Sequence, residues 1–127
     1  MEYIAVVTML ALIEYLTFQY LVGRARRTYG VVAPATTGNA TFERYYRVQQ
    51  NTIEQLVVFL PSLWLFGLFT NPVLGALIGL VYIIGRVLYL RSYVSDPDKR
   101  GLGFVLGFLA TVILALGALG GAIVAVL

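Results

Sequence analysis

Two residue types are missing altogether from this chain: cysteine and histidine. Without cysteine there is no disulfide framework, no thiolate metal site and no protein thiol to act as a nucleophile. Without histidine the usual general base and the commonest metal ligand are both gone. Charge is scarce too. Asp, Glu, Lys and Arg make up 12% of the 127 residues, against roughly a quarter in soluble domains. Hydrophobic residues account for 60%, which excludes an ordinary soluble enzyme and points to a protein dissolved in lipid. Carboxylates, tyrosine, arginine, lysine and hydroxyls remain for chemistry. The net charge of +3 comes from basic residues beside long apolar runs. Retention of positive charge on one side of a membrane explains that pattern, and a nucleic-acid partner is not expected.

The apolar runs predict an all-α membrane protein, a single domain of four transmembrane helices over residues 3–23, 43–69, 72–93 and 98–126. About 20 residues at 1.5 Å each cross the roughly 30 Å hydrocarbon layer. The first run has no small-residue cleavage site after it and reads as a retained span. The second is long for one crossing, so its first turns should project beyond the bilayer, and Pro61 inside it predicts a kink. Thr70-Asn71-Pro72 is a tight connection, with Asn71 as N-cap and Pro72 at the first helical position. Asp96 and Pro97 are expected to open the last helix in the same way, which would put Arg100 in its first turn. There a guanidinium would add to a field that already favours anions. All nine basic residues fall on the side of the first and third loops, so both long loops are expected in the cytoplasm and both termini on the opposite side.

Against this apolar background a few polar residues stand out. Arg47, Asn51 and Glu54, at i, i+4 and i+7, share one helix face as their helix enters the membrane. Charge in hydrocarbon costs at least about 2.5–3.5 kcal/mol per group, so these residues should face protein, water or a ligand. The same spacing also suits polar contacts that glue helices together. Arg86, Tyr89 and Tyr93 form a second stripe, which could equally be an interfacial aromatic belt with a snorkelling arginine. It ends on the same side of the membrane as the first. Two polar stripes at one level suggest the walls of a cavity for an anionic ligand such as a thiolate or carboxylate, and no metal is expected. Arg26 and Arg27 also read as interface anchors. Glu14 lies near the middle of the first span, as either a functional carboxylate or a buried, packed one.

The motif Phe42-Glu43-Arg44-x-x-Arg47-x-Gln49-x-Asn51-x-x-Glu54 resembles the second-helix signature of the MAPEG family, the membrane-associated proteins of eicosanoid and glutathione metabolism. Gly85-Arg86-x-x-Tyr89-x-x-x-Tyr93, followed by Arg100, is similar to that family's third and fourth helices. Ala25-Arg26-Arg27 and Pro34-x-Thr36-Thr37-Gly38 resemble its first loop, closest to the branch of leukotriene-C synthase and the type-two and type-three microsomal glutathione transferases. The resemblance implies a homotrimer with glutathione as co-substrate, bound between neighbouring subunits near the cytosolic face. By position it implies that Arg47, Asn51, Glu54, Arg86, Tyr89 and Tyr93 hold the glutathione peptide, and that Arg26 and Gln49 reach in from the adjacent subunit. Arg100 would face the sulfur, and Arg27 would assist a lipophilic electrophile arriving from the bilayer. Gln55 departs from the tyrosine that leukotriene-C synthase has there.

The function so implied is a membrane glutathione transferase, with glutathione peroxidase activity as a second use of the same thiolate. One alternative is a non-catalytic lipid-presenting member of the family, like five-lipoxygenase-activating protein. The other is a small multidrug transporter, which also has four short spans and a glutamate in the first.

Overall fold

The computed structural model describes all 127 residues and consists of four long helices. These are α1 (Glu2–Tyr29), α2 (Ala40–Phe69), α3 (Pro72–Ser95) and α4 (Gly101–Val126), with a single 3₁₀ turn, Pro97–Lys99, ahead of α4. Each helix is long and apolar enough to cross a membrane.

Local sequence sets the ends of the helices. Gly30 follows α1 at φ 67°, a left-handed conformation in which its N–H donates to Arg26 O, and a side chain there would be strained. The α2 helix begins earlier than its apolar pattern suggests, because Asn39 Oδ1 accepts from Phe42 N at 3.0 Å. At 30 residues it is about 45 Å long at 1.5 Å per residue, so it overhangs the bilayer, and it stays helical through Pro61. Asn71 caps α3 by accepting from Leu74 N at 2.9 Å, with Pro72 behind it as expected.

The opening of the last helix differs from expectation. Asp96 and Pro97 start only the 3₁₀ turn, and Arg100 is the N-cap residue of α4 rather than a member of its first turn. Asp96 Oδ1 accepts from Asp98 N at 3.1 Å, and Lys99 N and Arg100 N donate to Asp96 O and Pro97 O at 2.9 and 3.4 Å, the three-residue bonds of a 3₁₀ turn rather than those of an α-helix.

The central pair is α2 and α3, each packed on the other three helices, with α1 and α4 on either side. Ile4, Val7 and Ala11 of α1 meet Leu56, Phe59, Leu63 and Phe66 of α2 in the main core, completed by Ala76, Tyr82, Ala110, Leu114 and Ala118. Phe59 and Tyr82 stack with ring centroids 3.8 Å apart. Lipid tails are as apolar as these side chains, so close packing rather than water exclusion holds the helices together. The α3–α4 seam is the tightest. A Cβ on Gly85 would lie 2.8 Å from Gly107 N, and one on Gly103 would run into the Tyr89 backbone. Glycine at these positions lets the two backbones touch, which fixes Tyr89 against the start of α4.

Candidate functional site

The contact between α3 and α4 has a direct consequence at the end of the bundle where α3 finishes and α2 and α4 begin. There Arg47 and Asn51 of α2, Tyr89 and Tyr93 of α3, and Arg100 and Phe104 at the start of α4 surround one hollow of about 300 Å³. Helical spacing puts Arg47 and Asn51 one turn apart on α2 and Tyr89 and Tyr93 one turn apart on α3. Arg100 and Phe104 repeat the pattern.

The walls are ordered by aromatic and cationic contacts. Tyr89 and Tyr93 stack at 5.5 Å, and Phe104 lies 6.3 Å from Tyr89. The Arg100 guanidinium stands 6.0 Å over the Tyr93 ring, and its Nη1 donates to Pro97 O at 2.9 Å. The 3₁₀ turn is therefore what aims Arg100. Arg47 pairs with Glu54 at 3.8 Å across an exposed helix face, so Glu54 backs the hollow without lining it. Asn51 Oδ1 is buried and has no hydrogen-bond partner. An unmatched acceptor in a polar wall fits a ligand N–H.

Other residues singled out by sequence lie elsewhere in the protomer. Arg86 is 1% exposed. It lies beneath the hollow rather than in its wall, donating from Nη2 to Thr52 Oγ1 at 2.7 Å and stacking its guanidinium 4.3 Å from the Tyr89 ring centre. Arg26 clamps the first loop, donating to Ala35 O at 2.7 Å and Val31 O at 3.4 Å, and it covers Phe42 at 4.7 Å. Gln49 projects to a different face of α2 and donates to the Tyr15 hydroxyl at 3.2 Å. Arg27 is exposed at the end of α1.

Sequence reasoning missed Phe104. Its position four residues beyond Arg100 was the available signal. Arg44 stands in the second-helix motif but was given no role there; it donates to Val94 O at 3.0 Å and ties the start of α2 to the end of α3 beside the hollow.

Six side chains from three helices thus make a cationic, tyrosine-lined recess at the end of a four-helix bundle of transmembrane length. Residues 4–120 match the MAPEG family. The chain belongs to that family. As a MAPEG protein it is an integral, multi-pass membrane protein. Human microsomal glutathione S-transferase 2 is 44% identical over 119 residues, which is 92% of this chain and 80% of the human protein. Bovine leukotriene C4 synthase is 39% identical over 97 residues, 76% of this chain and 65% of the bovine one. An uncharacterized protein of Synechocystis is 51% identical over 115 residues, covering 91% and 84% of the two chains.

Proposed function

We propose that this MAPEG protein is a membrane glutathione transferase that holds glutathione as a thiolate for attack on lipophilic electrophiles. The observation that carries this reading is the convergence of Arg47, Asn51, Tyr89, Tyr93 and Arg100 on one hollow. The name of its human relative, microsomal glutathione S-transferase 2, supplies the tripeptide.

The chemistry follows from the residues present. A free thiol with a pKa near 8.5 is mostly protonated at neutral pH, and a neighbouring arginine lowers that value by one to several units. Each unit favours the thiolate by about 1.4 kcal/mol. Arg100 does this at the start of α4, where the unpaired backbone N–H groups of the first turn add to the same field. The proton leaves to water, so the absence of histidine is no obstacle. The sulfur lone pair then forms the new bond to carbon, and the leaving group departs with its bonding electrons while Arg27 offers it a cation.

Arg47 pairs with a glutathione carboxylate and Asn51 Oδ1 accepts from its N–H groups, while Glu54 turns from its pairing with Arg47 behind the hollow to receive the ammonium group. Tyr89 and Tyr93 donate from their hydroxyls, with Arg86 behind them. The protein works as a homotrimer, in which Arg26 and Gln49 of a neighbouring subunit close the site. To do so both exchange the loop and Tyr15 contacts they make within the protomer. The site lies on the cytoplasmic side, where the basic residues gather. In the peroxidase reaction the same thiolate attacks the outer oxygen of a lipid hydroperoxide, the O–O bond breaks with release of the lipid alcohol after protonation by water, and a second glutathione converts the resulting sulfenic acid to glutathione disulfide and water.

The test is conjugation of glutathione to chlorodinitrobenzene by the purified protein in detergent. Activity is expected, and it should fall at least about tenfold in Arg100→Ala, the size of one unit of thiol pKa. A wild-type protein that neither conjugates nor binds glutathione overturns the reading.

A further inference from the structure

Below the hollow, the core holds a second group of polar side chains, contributed by α1, α2 and α3. Thr52 and Tyr82 are fully buried, Arg86 is 1% exposed and Glu14 9%. Part of this group is satisfied within the protein. Arg86 Nη2 donates to Thr52 Oγ1, and Thr52 donates in turn to Val48 O at 2.7 Å.

The rest is not. Both Glu14 carboxyl oxygens, the Tyr82 hydroxyl and Arg86 Nε are buried with no hydrogen-bond partner. Packing nevertheless brings them to one level, because α1 and α3 run parallel with Ile4 and Val7 against Gly75 and Gly79, and seven residues beyond Val7 and Gly79 stand Glu14 and Arg86, with Tyr82 one turn before Arg86. The ion pairs within 4.0 Å lie elsewhere, at Met1–Glu2 and Arg47–Glu54. Buried polar groups that no protein atom satisfies commonly take an ordered water as their partner, given two to four such groups around it. The inventory here suits one such molecule, with a donor at Arg86 Nε, acceptors at Glu14 and a phenol at Tyr82 that can serve either way.

We propose that Glu14, Tyr82 and Arg86 enclose an internal water site, and that through it Glu14 acts as a positioning residue for the hollow above. The link runs through Arg86. Its guanidinium is held from one side by Thr52 and from the other by the water bridge, and its face lies 4.3 Å from the centre of the Tyr89 ring, which lines the hollow. Loss of the bridge frees one side of Arg86 and lets Tyr89 drift. The catalytic part of this inference rests on the reading of Tyr89 as a glutathione-site residue, whereas the bridge itself does not.

The experiment compares Glu14→Gln, which keeps a hydrogen-bonding head group, with Glu14→Leu, which does not. The wild-type background carries fluorotyrosine, and the Tyr89 fluorine resonance is assigned by its loss in Tyr89→Phe. Glu14→Leu is expected to move that resonance with no glutathione present and to raise the KM for glutathione about fivefold, as loss of one hydrogen-bonded contact would, with kcat less affected. Glu14→Gln is expected to leave the resonance in place and the KM within about twofold. An unmoved resonance with an unchanged KM in Glu14→Leu overturns the proposal, and so does a Glu14→Gln protein as impaired as Glu14→Leu.

Should Glu14→Leu unfold, the double variant Glu14→Leu/Arg86→Met makes this corner of the core apolar. Its melting temperature is then expected above that of either single variant, and simple additivity of the two losses overturns the coupling. A wild-type protein without conjugation would sink the transferase reading alone, because the resonance and the melting cycle still decide the bridge.

Discussion

Two recesses lie at opposite ends of this bundle, and they differ in size and chemistry. Near the start of α1, residues such as Tyr3, Val6, Leu10, Val73, Leu77 and Leu80 border a hollow of about 430 Å³ whose entire lining is hydrophobic. At the other end, Arg47, Asn51, Tyr89, Tyr93, Arg100 and Phe104 enclose about 300 Å³. The larger recess requires no special explanation, because side chains of that kind are as well solvated by acyl chains as by protein. The smaller one brings cations and an unmatched amide oxygen together beside an apolar core, an arrangement that is unfavourable unless something anionic or polar occupies it. In a membrane protein, polarity marks the working cavity better than volume does.

The strongest way to break this contrast is to attack the seam that shapes the polar recess. Gly103→Val would drive a branched side chain into the Tyr89 backbone. It is expected to destabilise the bundle by about 3 kcal/mol and to abolish conjugation, as seen by thermal unfolding in detergent alongside the activity assay. Next comes Arg100→Ala. Besides the tenfold loss at neutral pH, the rate should recover as pH rises. A thiol without its guanidinium has a higher pKa and becomes thiolate only in more alkaline solution, and a pH–rate profile checks this.

Tyr93→Phe keeps the stack on Tyr89 but removes a hydroxyl from the wall. A loss of about fivefold in kcat/KM is expected, the worth of one hydrogen bond, with no change in melting temperature. Glu54→Gln breaks an exposed pair with Arg47, and its stability cost should stay under about 1 kcal/mol. Any rise in the KM for glutathione would then report a contact with the ligand rather than a weakened fold. The smallest effect sharpens the comparison from the other side. Leu77→Ala, in the apolar recess, is expected to leave conjugation within about twofold of wild type.

Much of the bundle was legible before any coordinates. The four spans were fixed by length and hydropathy. The Asn71-Pro72 turn was readable because capping is a local contest among a few backbone groups. The two stripes that wall the recess were visible as helical spacing in a chain with few polar residues. The start of α4 was misread because Asp96 and Pro97 look the same whether they open a 3₁₀ turn or an α-helix, and the two differ only in which later N–H groups their carbonyls take. Arg86 was grouped with Tyr89 and Tyr93 on spacing. Position three before Tyr89 does put it on the same face, but one turn deeper, where Thr52 receives it.

Composition and periodicity alone were enough to establish a cysteine-free, histidine-free membrane bundle with its basic residues gathered at one end, since each of those properties belongs to single helices and short turns. Which polar groups meet is a property of helix pairs. The chain cannot announce that Gln49 turns to Tyr15, that Arg26 holds the first loop, or that Glu14 is buried level with Arg86. Those pairings depend on rotation and depth of one helix against another, and here glycine contacts and core packing set them.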